Sequence, residues 1–227
     1  MKNYIVTEET PLRNEFWPYS RNKIACEKVL RAAVANGFPG VIVRPSLTYA
    51  DFNMLTALNS RKDPYTLLDR MLRGKKIVVH GDGLSLWTIT HATDFAKGLV
   101  GLLGNPAATG EAFHISTDEV LTWDEIYRII GRALGVEANL IHIASEFIGE
   151  FNPDYRASLL GDHANSVVFD NSKIKRFVPD FKCTLSFAEG ARRCVAWFDA
   201  HPDKKTIDDM WSREMEALIA LYEGRKA

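Results

Sequence analysis

Cysteine, net charge and long apolar runs are all scarce in this sequence, and each shortage excludes a class of protein. The three cysteines are odd in number and form no Cys-x-x-Cys pair, which predicts reduced thiols in the cytoplasm. The formal net charge of -1 gives no electrostatic basis for binding nucleic acid or an anionic membrane. No apolar run approaches the length of a membrane span and the start has no signal-peptide core, so no membrane partner is expected.

Metal-binding motifs are also missing. The six histidines are scattered and no His-Glu-x-x-His occurs, so no metal site is predicted. What remains is the composition of an ordinary folded chain, with 46% hydrophobic and 25% charged residues. Its 227 residues are enough for one large domain or two small ones.

The most informative stretch is residues 17–23, which place Tyr19 and Lys23 four residues apart at the start of a predicted helix. The helix is supported by apolar residues at helical spacing, namely Cys26, Val29, Leu30 and Ala33, and by the stop signal Asn36-Gly37. At this spacing both side chains lie on one face. A lysine cation within ~4–6 Å favours the ionised form of a phenol, whose ordinary pKa is ~10, so the pair is a candidate general acid/base. A core tyrosine beside a solvated lysine would have the same spacing.

Further motifs stand before and after this pair. They lie at residues 7–11, 40–45, 81–83 with 91–96, 110–115 with 121–123, and 170–173 with 186–190. Together with Tyr19 and Lys23, and in this order, they resemble the extended short-chain dehydrogenase/reductase superfamily. More narrowly, the sequence is similar to the NAD-dependent epimerase/dehydratase family, from about residue 7 to residue 197.

The resemblance implies an α/β fold, a partial Rossmann-like domain that lacks its N-terminal strands and carries a smaller α+β substrate-binding subdomain. The Gly-rich turn of a dinucleotide-binding half is not found, because Gly81-Asp82-Gly83 is followed by Leu84-Ser85-Leu86. Residues 1–50 are expected to be the remnant of the dinucleotide-binding domain with the Tyr19 helix. Residues 51–227 are mainly substrate-binding, with residues 76–103 returning to the Rossmann core. We therefore expect the chain to be the C-terminal part of a longer protein.

Local patterns predict the remaining elements. Residues 1–17 are predicted to be an extended loop, and residues 40–44 a β-branched strand of a parallel sheet. Without upstream strands one edge of that strand is unprotected, which predicts a homo-oligomer formed through strand pairing. Other strands are predicted at 77–80, 86–90, 138–143 and 166–170, and helices at 65–73, from 94, from 123 after a capping box, from 186, and at 206–224. The buried face of the helix from 123 is predicted to be Trp123, Ile126, Tyr127, Ile130 and Leu134, and residues 156–163 are predicted to be a helix end or loop. The last helix could pack on its own domain or on a partner subunit.

The resemblance also implies roles for individual residues in the complete protein. Tyr19 would take a proton from a substrate hydroxyl while hydride moves to the nicotinamide of NAD or NADP, and Lys23 would bind the cofactor ribose. Pro45 and Ser46 would approach the cofactor, and Tyr49 would approach the substrate. A loop whose side chains merely pack would have the same sequence pattern. The substrate would be a sugar or a nucleotide sugar.

Two further positions bear on the substrate. Trp87 stands where related nucleotide-sugar enzymes commonly place an arginine that binds a diphosphate, and an indole stacks instead. Arg156 and His163 lie in the region that closes the substrate pocket in the family, although a surface cation and imidazole would also fit there. Asp94 starts a predicted helix and is interpreted as structural.

Two alternatives to an enzyme stay open. The first is a family member without catalysis that acts as a binding or scaffold protein. The second is a partner-binding module that functions as the chain stands. A strand followed by a Gly-rich turn upstream of residue 1 would favour the enzyme.

Overall fold

Parallel strand pairs bring distant parts of this chain together. The computed structural model describes residues 5–225. Its strands are β1 (Ile5–Val6), β2 (Ile42–Pro45), β3 (Leu47–Tyr49), β4 (Ile77–His80), β5 (Leu86–Trp87), β6 (Ile89–His91), β7 (Ala112–Ile115), β8 (Leu121–Thr122), β9 (Leu140–Ile143) and β10 (Val168–Phe169). Its helices are α1 (Pro18–Ala35), α2 (Tyr65–Leu72), α3 (Ala92–Leu102), α4 (Trp123–Ala133), α5 (Ser145–Phe151), α6 (Pro153–Ser158), α7 (Ser172–Phe177), α8 (Phe187–Ala200) and α9 (Asp209–Gly224).

Four strand pairs are parallel, as expected when helices connect successive strands. They are β1 with β10, β2 with β7, β3 with β6 and β4 with β9. The pair β5 and β8 is antiparallel. Within residues 5–225, β2 pairs with β7 alone, so its other edge is unpaired, as the sequence predicts for residues 40–44.

The apolar side chains form three clusters. The largest lies among α2, α4 and α8, the second includes the buried face of α9, and the third lies between the β2–β7 pair, α3 and α7. The predicted buried face of α4 is confirmed, with Trp123, Ile126 and Tyr127 fully buried behind the predicted Thr122–Glu125 capping box. Helix α9 packs on its own chain through Trp211, which decides between the two alternatives for its apolar face.

Three predicted elements need correction. The predicted loop at residues 1–17 contains β1, which pairs with β10; residues 1–4 lie outside the described residues. The single strand predicted at 86–90 is interrupted at Thr88, because β5 pairs with β8 whereas β6 pairs with β3. Residues 156–163, predicted as a helix end or loop, form the end of α6 and a π-helical turn, Leu159–His163.

Helix α1 has the predicted length but not the burial that its apolar stripe suggests. None of its residues is fully buried, and Val29 is 72% exposed. Within that stripe Cys26 and Val29 are exposed, whereas Leu30 and Ala33 are half-buried. The periodicity therefore predicted the helix correctly, while the contacts that hold it in place are of another kind.

Candidate active site

The pair Tyr19 and Lys23 lies in the first two turns of α1. Pro18 starts the helix, since a proline at the first position lacks only an N–H that would be unpaired there. The ammonium nitrogen of Lys23 lies 5.3 Å from the centroid of the Tyr19 ring. The Tyr19 side chain is 54% exposed, and none of the hydrogen bonds among the described residues engages its hydroxyl. The two groups are brought together and are accessible; their catalytic role stays a prediction.

An ion pair attaches the middle of α1 to β2. The Arg44 guanidinium donates to both carboxylate oxygens of Glu27, at 3.0 and 2.6 Å, and to the backbone oxygen of Glu8 at 2.9 Å. Arg31 on the next helical turn donates to Glu27 as well. Burial alone would raise the pKa of the Glu27 carboxyl, but the hydrogen bonds from Arg44 and Arg31 outweigh burial and lower that pKa.

Ser46, at the carboxyl end of β2, belongs to a hydroxyl cluster that the sequence analysis missed. Its Oγ lies 3.0 Å from the Thr90 hydroxyl and accepts a hydrogen bond from Ser116 at 3.1 Å. Ser116 is also 2.9 Å from the Thr88 hydroxyl. The available signal was a hydroxyl residue within or just after each of three neighbouring strands. Pro45 ends β2 and is exposed beside this cluster.

Tyr49, predicted to contact substrate, lies in the core. Its side chain is 2% exposed, and its ring packs edge-on against His91 and Phe187. Its hydroxyl has no hydrogen-bond partner among the described residues, and burial raises the pKa of this phenol. A substrate could reach this hydroxyl only after α8 moves away from it, because Gly190 of α8 lies directly against it. The predicted role stays a prediction.

Trp87 and His163 share a buried aromatic group. The Trp87 ring lies 5.5 Å from the Trp123 ring and 5.1 Å from the His163 ring. The Trp87 side chain is 3% exposed and its Nε1 has no partner among residues 5–225. Burial lowers the pKa of His163 to about 3, so the imidazole is neutral at physiological pH.

Arg156 lies apart from this aromatic group. Its side chain is exposed, and its guanidinium is 5.9 Å from the centroid of the Phe16 ring, just ahead of α1. This contact brings the predicted substrate-side residue close to the start of the helix that carries Tyr19. A role in substrate binding stays a prediction for Arg156 as it does for Trp87.

Asp94 has the structural position that its place at a helix start suggests. Its carboxylate accepts hydrogen bonds from the backbone N–H groups of Thr184 and Leu185, at 3.0 and 2.9 Å. Burial would raise the pKa of this carboxyl, but these hydrogen bonds and that from Lys97 lower it. Asp94 therefore ties α3 to the segment before α8.

Metal ligands and membrane-spanning helices both bear on function. Nowhere in residues 5–225 do three His, Cys, Asp or Glu side chains come together in a way that could hold a metal ion. In the same residues, no helix combines the length and the apolar character needed to cross a bilayer.

The first half of the chain matches a known protein family. Residues 3–116 match the model of the NAD dependent epimerase/dehydratase family. Among curated proteins, an uncharacterised UDP-glucose epimerase of Bacillus subtilis is 27% identical over 150 residues, covering 64% of this chain and 44% of that protein. A dTDP-glucose 4,6-dehydratase of Streptomyces griseus is 23% identical over 200 residues, covering 86% of this chain and 53% of that protein. The chain thus spans about half the length of these relatives.

Solved structures show the fold. The dTDP-glucose 4,6-dehydratase of Bacillus anthracis, in complex with NAD, superposes with a TM-score of 0.68 at 22% identity, covering 89% of this chain and 58% of the other. The UDP-glucuronic acid 4-epimerase of Bacillus cereus, in complex with UDP-glucuronic acid and NAD, gives 0.68 at 20% identity, covering 88% and 57%. The predicted α/β, Rossmann-like class is confirmed. The proposed division at residue 50 stays a prediction.

Proposed function

Since the chain belongs to the NAD-dependent epimerase/dehydratase family, we propose that the complete protein oxidises a hydroxyl of a sugar or nucleotide sugar, with Tyr19 and Lys23 as its acid/base pair. The observation that carries this proposal is the placement of the Lys23 ammonium 5.3 Å from the Tyr19 ring centroid on an exposed helix face. This placement puts a phenol and an ammonium side by side where a substrate could reach both, which is the arrangement that a general acid/base pair needs.

In this proposal Tyr19 acts on the substrate hydroxyl. The phenolate oxygen accepts the hydroxyl proton as the carbon that bears it is oxidised. In the return direction the phenol donates the proton to the carbonyl oxygen. Return of hydride to the opposite face of the same carbon would give epimerisation, and loss of water from the oxidised sugar would give dehydration. The substrates named for the relatives, UDP-glucose, dTDP-glucose and UDP-glucuronic acid, are the first candidates.

The cofactor would be NAD or NADP, and residues of this chain would bind its nicotinamide and the adjoining ribose. The Tyr19 hydroxyl and Lys23 ammonium are not engaged in hydrogen bonds within residues 5–225, and they match the hydroxyls of a ribose in hydrogen-bonding chemistry. Pro45 and Ser46 would lie beside the nicotinamide end. When bound, the nicotinamide supplies the hydride acceptor. The sequence has no Gly-rich turn for the pyrophosphate, so the other end would be held by a dinucleotide-binding half in the complete protein.

We expect the complete protein to act in the cytoplasm. Measurement of its turnover tests the acid/base pair. With the three candidate sugars as probes, Tyr19→Phe should reduce turnover by about 10²–10⁴-fold, because a positioned acid/base is lost. Lys23→Met should also reduce it. Lys28→Met is the matched control, because it removes an exposed ammonium from the same helix without touching Tyr19.

The outcomes separate the alternatives. An unchanged rate for Tyr19→Phe would remove Tyr19 from the mechanism. If the complete protein binds NADH yet shows no turnover that depends on Tyr19 with any of the three probes, the non-catalytic binding or scaffold role is favoured. Titration of NADH into the 227-residue chain alone should show no tight binding, because the sequence contains no Gly-rich turn to bind the pyrophosphate.

A further inference from the structure

We propose that Trp17 is a positioning residue, which the π-helical turn Leu159–His163 holds in place and which in turn fixes the Tyr19 ring. This inference rests on the proposed function of Tyr19. It adds residues 159–163, which are distant from Tyr19 in the sequence, to the groups that determine the position of the reactive phenol.

The start of α1 is held by an entry turn, residues 14–17. The Asn14 side-chain oxygen accepts hydrogen bonds from the backbone N–H groups of Phe16 and Trp17, at 3.2 and 2.8 Å. The Asn14 side-chain amide donates to the backbone oxygen of Gly161 at 2.7 Å. Because every residue in the first turn of α1 is exposed or half-buried, these bonds are a large part of what fixes that turn. The entry turn is therefore attached to the π-helical turn and not to a hydrophobic core.

Gly161 allows the two turns to approach closely. A Cβ atom at Gly161 would lie 2.7 Å from the Cβ of Trp17 and 2.9 Å from the side-chain oxygen of Asn14. Both distances are shorter than van der Waals contact, so any larger residue would displace the entry turn. A glycine is required at position 161 because there is no room for a Cβ atom beside Trp17 and Asn14.

The π-helical turn is itself anchored in the core. The backbone oxygen of His163 accepts hydrogen bonds from Trp123 Nε1 and Ser85 Oγ, both at 3.1 Å, and lies 3.0 Å from His80 Nε2. The Trp123 and His80 side chains are fully buried. Single π-helical turns occur frequently at functional sites. This one is a fixed support for the entry turn.

The last contact reaches Tyr19. The Trp17 ring lies 6.5 Å from the His163 ring on one side and 4.9 Å from the Tyr19 ring on the other, both within the range of favourable aromatic pairs. Tyr19 is 54% exposed, and within residues 5–225 Trp17 supplies the aromatic ring beside it and Lys23 the ammonium over it. Trp17 thus connects the π-helical turn to the ring of Tyr19.

Fluorine NMR of the 227-residue chain with 3-fluorotyrosine tests this without any cofactor. The Tyr19 resonance is assigned by its loss in Tyr19→Phe. Gly161→Ala and Trp17→Ala should each shift the Tyr19 resonance and leave the other six tyrosine resonances in place. Gly224→Ala, where the added Cβ meets open space, is the matched control and should shift none.

An unchanged Tyr19 resonance in folded Trp17→Ala overturns the proposal. Trp17 is only half-buried, so this variant is expected to fold even where Gly161→Ala does not. In Trp17→Phe, which keeps an aromatic face, the resonance should stay close to its original position.

Kinetics of the complete protein provide the second readout. Trp17→Ala should reduce kcat by on the order of 10- to 100-fold, with little change in KM, because the phenol is misplaced while substrate contacts remain. Trp17→Phe should recover most of the loss. If Tyr19→Phe leaves turnover unchanged, the proposed function fails and NMR alone decides the role of Trp17. If Tyr19→Phe abolishes turnover while Trp17→Ala changes neither kcat nor the resonance, only this inference fails.

Discussion

Removing the charge of Glu27 tests what holds the tyrosine-bearing helix to β2. Glu27→Gln keeps the size of the side chain but replaces the carboxylate that pairs with Arg44. Both side chains are mostly buried, with 10% of Glu27 and 16% of Arg44 exposed. The Arg44 guanidinium would keep its bond to the backbone oxygen of Glu8 and lose its charged partner. We therefore expect α1 to open more often in the variant.

The magnitude lies between two limits. Exposed ion pairs contribute about 0–1 kcal/mol, whereas breaking a fully buried pair costs about 3–5 kcal/mol. Because this pair is largely buried and has two charge-assisted hydrogen bonds, we expect a loss of about 2–3 kcal/mol in the free energy of opening α1. At a factor of ten for each 1.4 kcal/mol, the opening equilibrium should rise roughly 30- to 140-fold.

Hydrogen exchange of the α1 backbone amides measures this opening directly, because it reports local as well as global unfolding. Glu189→Gln is the matched control. Glu189 pairs with Arg192 and Arg193 on α8, where all three side chains are 43–61% exposed, so exchange in α8 should change less than about 5-fold. If exchange in α1 rises no more in Glu27→Gln than in α8 of the control, the ion pair does not hold the helix.

The stabilisation that the Glu27 ion pair contributes should decrease at low pH. The pKa of Glu27 is lowered in the folded chain below its ordinary value of 4.5, by hydrogen bonds from Arg44 and Arg31 that outweigh burial. Its stabilisation is therefore complete above pH 4.5 and is lost as the pH falls through the lowered value. The difference between the wild-type chain and Glu27→Gln should be full near pH 7 and shrink as the pH falls below 4.5. A difference that stays constant over this range would show that the carboxylate charge is not its source.

Three further predictions concern packing, assembly and capping. Gly190→Ala should lower the thermal midpoint, because the added Cβ would lie 1.7 Å from the buried Tyr49 hydroxyl, whereas Gly224→Ala should leave it unchanged; equal midpoints would contradict this. Light scattering should give a mass above that of a monomer, since β2 has an unpaired edge, and Val43→Pro on that edge should reduce the mass; a monomer would remove strand-mediated assembly. Thr122→Ala should cost about 1 kcal/mol in urea unfolding through loss of the capping box of α4, and an unchanged midpoint would contradict that.

The helices and strands that could be predicted are those with a local cause. Strand β4 has its predicted bounds, and α4 begins directly after Thr122, because periodicity and capping act within a few residues. Helix α1 ends at Ala35, directly before the predicted stop signal. The pairing of β1 with β10 joins residues more than 160 positions apart, and nothing in either short segment specifies the other.

In the candidate site, too, only the features with a local cause could be predicted. The four-residue spacing of Tyr19 and Lys23 placed them on one helical face, and the structure brings them together. The hydroxyl cluster around Ser46 depends on contacts between β6 and the residues that follow β2 and β7, and the burial of Tyr49 depends on α8 packing against it. Both are consequences of tertiary packing that periodicity does not encode.

Helix α1 shows why those tertiary contacts matter for function. None of the apolar residues of α1 is fully buried, so its hydrophobic attachment is weak, and its position depends largely on two polar attachments, the entry turn at its start and Glu27 in its middle. Tyr19 lies close to the first attachment and two turns from the second. Loss of the Glu27 ion pair should therefore loosen the helix as a whole, whereas loss of the Trp17 contact should change the tyrosine while the helix stays attached. The two variants are expected to differ in kind, with faster amide exchange along α1 in one and a shifted tyrosine resonance in the other.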